Sequence, residues 1–147
     1  MRVIHLFAVI VVLWLVAADC AVAQTGGLTA ESAWIRVVPG SNVASAYLTL
    51  RNRGNRTLRV TGVASPLATH AMIHETSLQN GQSQMRARDE LKIQPGQVVT
   101  LSPGGLHVML HGLTRIPAVG ESVPLVLTLG DGGLVRVTAV VRPLTAQ

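Results

Sequence analysis

The sequence predicts an all-β domain, a sandwich or barrel of the Greek-key kind. Short apolar-alternating runs recur at a spacing of about ten residues, and Gly, Pro and Asn turn signals separate them. No window keeps a helical period for three turns. The first run, Ala33–Val38, stops at Pro39-Gly40, and Ala44–Leu50 follows it. Gly54-Asn55 separates that run from Leu58–Ala64. His70–Leu78 and Ser83–Ala87 flank Asn80-Gly81, the strongest short signal for a two-residue hairpin turn. Val98–Leu101 lies between Pro95-Gly96 and Pro103-Gly104-Gly105, which in turn introduces Leu106–His111. Val123–Leu129 comes after Pro117, and Gly130-Asp131-Gly132-Gly133 joins it to Leu134–Val141. Pro143 to Gln147 reads as a frayed tail.

The N-terminus has a different character. Met1-Arg2 precedes a nearly unbroken apolar run, Ile4–Ala18, and Ala21-Val22-Ala23 follows it. A basic start, about 15 apolar residues and an A-x-A site make a secretory signal peptide, with cleavage expected after Ala23. A membrane anchor would need about 20 apolar residues. The expected organisation is therefore a signal peptide over 1–23 and one domain over 24–147. Loss of Arg2 and Asp19 leaves the net charge at +5. The single cysteine, Cys20, leaves with the signal. As a lipid-acceptor site it is disfavoured by Asp19, which stands where a small residue belongs. A mature domain without cysteine has no disulfide, thiolate metal site or thiol nucleophile.

Four histidines and three methionines remain, and six of the seven lie in two five-residue segments, His70-Ala-Met72-Ile-His74 and His107-Val-Met109-Leu-His111. Side chains alternate along a strand, so each segment presents imidazole and thioether on one face and aliphatic groups on the other. A helix is excluded for the second segment, because Gly105 and Gly112 bound too short a stretch. His74-Glu75 does not begin a zincin motif, since position 78 is Leu78. A type I′ turn at Asn80-Gly81 sets Thr76 opposite Met85. That makes Met85 a diagonal neighbour of His74, within side-chain reach; a longer loop would slip this register.

Thioether sulfur is a soft ligand suited to Cu(I), and imidazole also binds copper. Structural zinc prefers thiolate, and calcium or magnesium would need clustered oxygens. A blue-copper centre needs cysteine. Copper held by His and Met is the metal reading that survives.

The spacing His74-x10-Met85-x21-His107-x-Met109 resembles the copper motif of the periplasmic PCu(A)C copper chaperone family. Ala33-Trp34, Ala46-Tyr47-Leu48-Thr49-Leu50, Ala64-Ser65-Pro66, Ile73-His74-Glu75-Thr76 and Pro103–Leu110 resemble its flanking segments, and the likeness runs from about Glu31 to Arg142. The resemblance implies a cupredoxin-like β-sandwich that binds one Cu(I) through His74, Met85, His107 and Met109. It implies delivery to a respiratory oxidase, chiefly the CuA centre of cytochrome c oxidase subunit II, with another copper chaperone as a further partner. Two departures stand out. The tail after Arg142 lacks a Met/His-rich extension, and His111, His70 and Met72 add donors as a possible auxiliary shell.

The expected protein is a periplasmic copper carrier and not an enzyme: no Ser/His/Asp motif or carboxylate pair stands out, and Asp89-Glu90 reads as solvated surface. It meets the membrane only through its partner. Storage without a recipient, and a sandwich with incidental His and Met, are the rivals. Arg51, Arg53, Arg56 and Arg59 read first as a solvated edge and second as a docking patch. Nucleic acid is not an expected partner, because only Trp34 and Tyr47 remain as aromatics and both read as core.

Overall fold

The computed structural model describes residues 23–145. The expected signal peptide and its cleavage site therefore lie outside or at the margin of the described residues. Eleven strands follow one another: β1 (Ala23–Thr25), β2 (Leu28–Val37), β3 (Val43–Asn52), β4 (Leu58–Ala64), β5 (Ala68–Gln79), β6 (Gln82–Arg88), β7 (Leu91–Ile93), β8 (Val98–Thr100), β9 (Leu106–Leu113), β10 (Ser122–Leu129) and β11 (Leu134–Arg142). Hydrogen bonding orders them β6-β5-β9-β3-β2-β11-β10-β4-β7, with β1 added to β2 and β8 to β3. All these pairings are antiparallel except that of β11 with β2. The path curls into a β-sandwich, as expected, whose inward faces meet in one aliphatic core.

Strict alternation builds that core. Val123, Leu125, Leu127 and Leu129 of β10 face inward, as do Val135, Val137, Ala139 and Val141 of β11. On the opposing strands Ala44, Ala46, Leu48 and Leu50 of β3 meet Val108 and Leu110 of β9 and Ile73 of β5. Burial of these side chains, each worth about 1.5–3 kcal/mol for the larger ones, drives the sheet to close on itself.

Three differences from the sequence expectation have physical causes. Strand β2 begins at Leu28 rather than Ala33, because an extra residue near Ser32 interrupts the alternation. Leu28 and Ala30 face the core before this bulge, and Ala33 and Ile35 after it. Ser32 takes a φ of 55°, the left-handed backbone that lets one residue be looped out of the ladder. Strand β7 is too short for its alternation to register, although Ile93 is fully buried. Trp34 and Tyr47 are buried, but on the outer side of the β2/β3 pair and not in the aliphatic core.

The arginine-rich segment is a turn. Asn52 is fully buried, donates to the carbonyls of Arg56 and Ile93, and accepts from the amide of Gly54. Arg56 and Arg59 sit against Asp131 and Glu90, consistent with the solvated-edge reading.

Candidate metal centre

The hairpin forms as its turn residues dictate. Asn80 and Gly81 have φ of 53° and 77°, the pair of positive values a type I′ turn requires. The register Gln79↔Gln82, Leu78↔Ser83, Ser77↔Gln84 and Thr76↔Met85 follows. Met85 thus stands on β6, on the face shared by Thr76 and His74, with 53% of its surface exposed.

Strands β5 and β9 are antiparallel neighbours, and their two donor segments match row for row: His70↔His111, Met72↔Met109 and His74↔His107. The intervening residues Ile73, Val108 and Leu110 lie in the core, and Ala71 packs against it. All seven His and Met side chains therefore emerge on one outer face, six of them in three cross-strand rows.

The loop ahead of β9 fixes its first donor. Ser102 to Gly105 form a turn closed by the Gly105 amide on the Ser102 carbonyl at 3.1 Å, with Pro103 and Gly104 at its corners. Gly104 has φ of 82°, which this Pro-Gly turn needs. The Gly105 carbonyl then accepts from the Thr76 amide at 3.1 Å and lies 2.9 Å from His107 Nδ1. A proton on Nδ1 completes that contact and leaves the lone pair of Nε2 available to a metal ion. His107 is only 5% exposed. The site is thus less shallow on this side than a donor on an open face would be, whereas Met72 and Met85 stand about half in solvent.

His74 is central. Its ring centroid lies 5.9 Å from that of His107 and 6.0 Å from that of His111. Its Nδ1 is buried and has no hydrogen-bond partner. An unpaired buried imidazole nitrogen costs stability, and a metal ion would satisfy it. Burial, then the neighbouring His107 and His111, push the His74 pKa down from its ordinary value. A neutral imidazole is the form that ligates. Met109 is half-buried and receives the Ser45 hydroxyl at 3.8 Å on its sulfur, which leaves a second lone pair free. Among the described residues, no three His, Cys, Asp or Glu side chains converge on a metal position.

The extra donors separate. His111 points toward His74, whereas His70 is exposed and its Nδ1 lies 3.2 Å from the Thr69 hydroxyl. His70, Met72 and His111 border an open depression together with Val63, Thr69 and Ala71.

A second group on this face was not expected from the sequence. The Tyr47 ring lies 6.4 Å from His107 and 4.4 Å from Trp34, and the Arg36 guanidinium donates to the Tyr47 hydroxyl at 2.7 Å. The alternation Ala44, Ala46, Leu48 on β3 carried the signal, since it puts Ser45 and Tyr47 outside.

Protonation of His74 has a consequence for the fold. Below about pH 6.5 the unfolded chain takes up the imidazole proton before the folded one does, so stability is full above that pH and declines as pH falls. The urea midpoint of the metal-free protein is expected to drop between about pH 7 and about pH 5. His74→Gln should flatten part of that slope, and an unchanged slope in the variant would contradict the assignment.

Known proteins share this fold. Residues 28–141 match the family model described as "Putative lipoprotein LpqE-like". The "Putative lipoprotein Lxx21020" of Leifsonia xyli subsp. xyli is 32% identical over 120 residues, covering 81% of this chain and 72% of that protein. The solution structure of apo-DR1885 from Deinococcus radiodurans is similar at 33% identity and a TM-score of 0.62, over 97% of both chains. The copper-bound PCuAC domain from PmoF2 superposes with a TM-score of 0.71 at 25% identity, over 84% of this chain and 98% of that domain. A matching family model over most of the chain and full-length structural likeness agree with the His/Met spacing: the chain belongs to the LpqE-like family, which is the PCu(A)C family.

Proposed function

We propose that this protein is a copper carrier of the bacterial cell exterior that binds one Cu(I) through His74, Met85, His107 and Met109 and delivers it to a respiratory oxidase. The observation that carries the reading is the pairing of two H-x-M-x-H strands on one outer face, with an unpaired buried nitrogen on His74. The Cu(I)-bound structure of DR1885 and the copper-bound PmoF2 domain support the same cargo. Each residue has a role that its surroundings explain. His107 is held in one tautomer by Gly105, while His74 stays neutral and available. Met109 is a half-buried sulfur, and Met85 on the exposed hairpin is the ligand easiest to release. Transfer needs such a gradient, because a recipient must displace ligands one at a time.

The recipient we propose is the CuA centre of cytochrome c oxidase subunit II, with another copper chaperone as a further exchange partner. Deletion of the gene should reduce assembled oxidase in copper-poor medium, and added copper should restore it. Unchanged oxidase with increased copper sensitivity would favour storage instead. Export follows from the N-terminal segment, and its form is open to direct test. The mass of the mature N-terminus should correspond to cleavage after Ala23, whereas a lipid-modified Cys20 would match the lipoprotein names of the relatives.

We also propose that His111, with His70 and Met72, forms an auxiliary shell into which the ion shifts during hand-over. The closely similar distances from His74 to His107 and to His111, 5.9 and 6.0 Å between ring centroids, support it. A His70→Ala, Met72→Leu, His111→Leu variant should keep its Cu(I) affinity, lose Cu(II) binding and transfer more slowly. If all three quantities match wild type, the four-residue set is the whole site.

A further inference from the structure

The donor-bearing face continues sideways into two arginines. One cross-strand row runs Met72, Met109, Ser45, Arg36 and Arg142 over β5, β9, β3, β2 and β11. With strands about 4.8 Å apart, Arg36 stands about 10 Å from Met109 and Arg142 one strand beyond. Arg36 and Arg142 are direct partners in the parallel ladder. Like charges placed opposite each other cost stability. Five other cations are offset, since Arg56, Arg59, Arg88, Lys92 and Arg115 sit against carboxylates, while Arg51, Arg53, Arg86 and Arg136 stand on other parts of the surface without an ion pair among the described residues. Among the described residues, no carboxylate forms an ion pair with Arg36 or Arg142.

Both guanidiniums rest on aromatic rings instead. Arg36 lies 5.4 Å from the Tyr47 centroid, and Arg142 lies 5.0 Å from that of Trp34. These contacts hold the planar groups in place: Arg36 spends one Nη2 hydrogen on the Tyr47 hydroxyl, and the remaining N–H groups of both arginines stay available for the hydrogen bonds that carboxylates accept. Trp34 and Tyr47 thus link the donors to a fixed pair of unneutralised positive charges.

We propose that Arg36 and Arg142 form a docking site for the carboxylates of an acidic protein surface, which it seats over the His/Met donors. The purpose of this surface, though not its charge, rests on the copper-transfer reading. Rigid guanidiniums one strand apart suit side-chain carboxylates fixed on a folded partner, and a partner bound there lies within a few strand widths of Met109. The pair acts on encounter and orientation, not on the affinity for the ion.

The test uses poly-L-glutamate as probe, with calorimetry and the emission of Trp34 as readouts at low ionic strength. Wild type should bind saturably, and added salt should abolish binding. Arg36→Gln/Arg142→Gln should weaken binding about five- to thirtyfold, the effect of losing two exposed ion pairs. Arg53→Gln/Arg56→Gln, which removes the same charge from the β3–β4 turn, should weaken it little. Equal weakening by both variants, or none by either, would overturn the proposal. So would binding to phosphatidylglycerol vesicles without binding to polyglutamate, which would make the face a membrane contact. Cu(I) retention against a chelator is measured on the same samples and should not change in the Arg36/Arg142 variant. Polyglutamate binding by a wild type that retains no copper would refute the metal reading and leave the docking site standing.

Discussion

His107→Ala is expected to lower Cu(I) affinity by at least about 100-fold while leaving a folded domain. Loss of a positioning partner alone costs a metal site about 10–100-fold, and His107 would lose a ligand as well. Its side chain stands on the outer face, so no core contact with Leu106, Val108 or Leu110 is removed. Because His107 is 5% exposed and hydrogen-bonded to Gly105, the variant should also lose about 1–2 kcal/mol of stability. Met109→Ala should weaken Cu(I) binding by a similar mechanism with a smaller cost to the fold. Chelator competition under anaerobic conditions reads the first quantity, and urea unfolding reads the second. Wild-type affinity in His107→Ala would remove that residue from the site.

The residue between these two proposed ligands should behave in the opposite way. Val108 is fully buried among the aliphatic side chains of the core. Val108→Asp would place a carboxylate there without a partner. The cost, about 4–5 kcal/mol or more, is comparable to the whole stability of many domains of this size. Circular dichroism should show an unfolded or aggregated chain. Native dichroism and wild-type thermal stability would mean that the faces of β9 are assigned the wrong way round.

Adjacent residues with opposite fates express how the site was legible in the sequence. Alternation on a strand is strict, so H-x-M-x-H could present its donors only on one face, and Ile73, Val108 and Leu110 could only enter the core. Asn80-Gly81 fixed the register of Met85, because few residue pairs accept two successive positive φ values. The fit between β5 and β9 was not legible. Their antiparallel adjacency, and with it the rows His70/His111, Met72/Met109 and His74/His107, arises from long-range pairing that no local pattern announces. The bulge at Ser32 likewise hid the first part of β2, since one inserted residue inverts the phase of everything before it. Aromatic character by itself favours a core position for Trp34 and Tyr47. Their true surroundings, arginine on one side and imidazole on the other, depend on the packing of β2 beside β3 and β11.

Exposure varies across the proposed primary and auxiliary donors, and this bears on release. Met85 and Met72 lie half in solvent while His107 is enclosed. A recipient approaching over the outer face therefore meets sulfur first and the tethered imidazole last. Acidification acts on the imidazoles and not on the thioethers, which carry no titrating proton. Copper affinity should fall below about pH 6, less steeply than in an all-histidine site.

The central claim is that one Cu(I) is held by two imidazoles and two thioethers from β5, β6 and β9. X-ray absorption at the copper edge of the anaerobically loaded protein tests it most directly. The expected result is about one Cu(I) per chain with a mixed shell of nitrogen and sulfur scatterers, the sulfur contribution diminished in Met85→Leu and Met109→Leu. A shell of nitrogen or oxygen alone, unchanged by either methionine substitution, would contradict it.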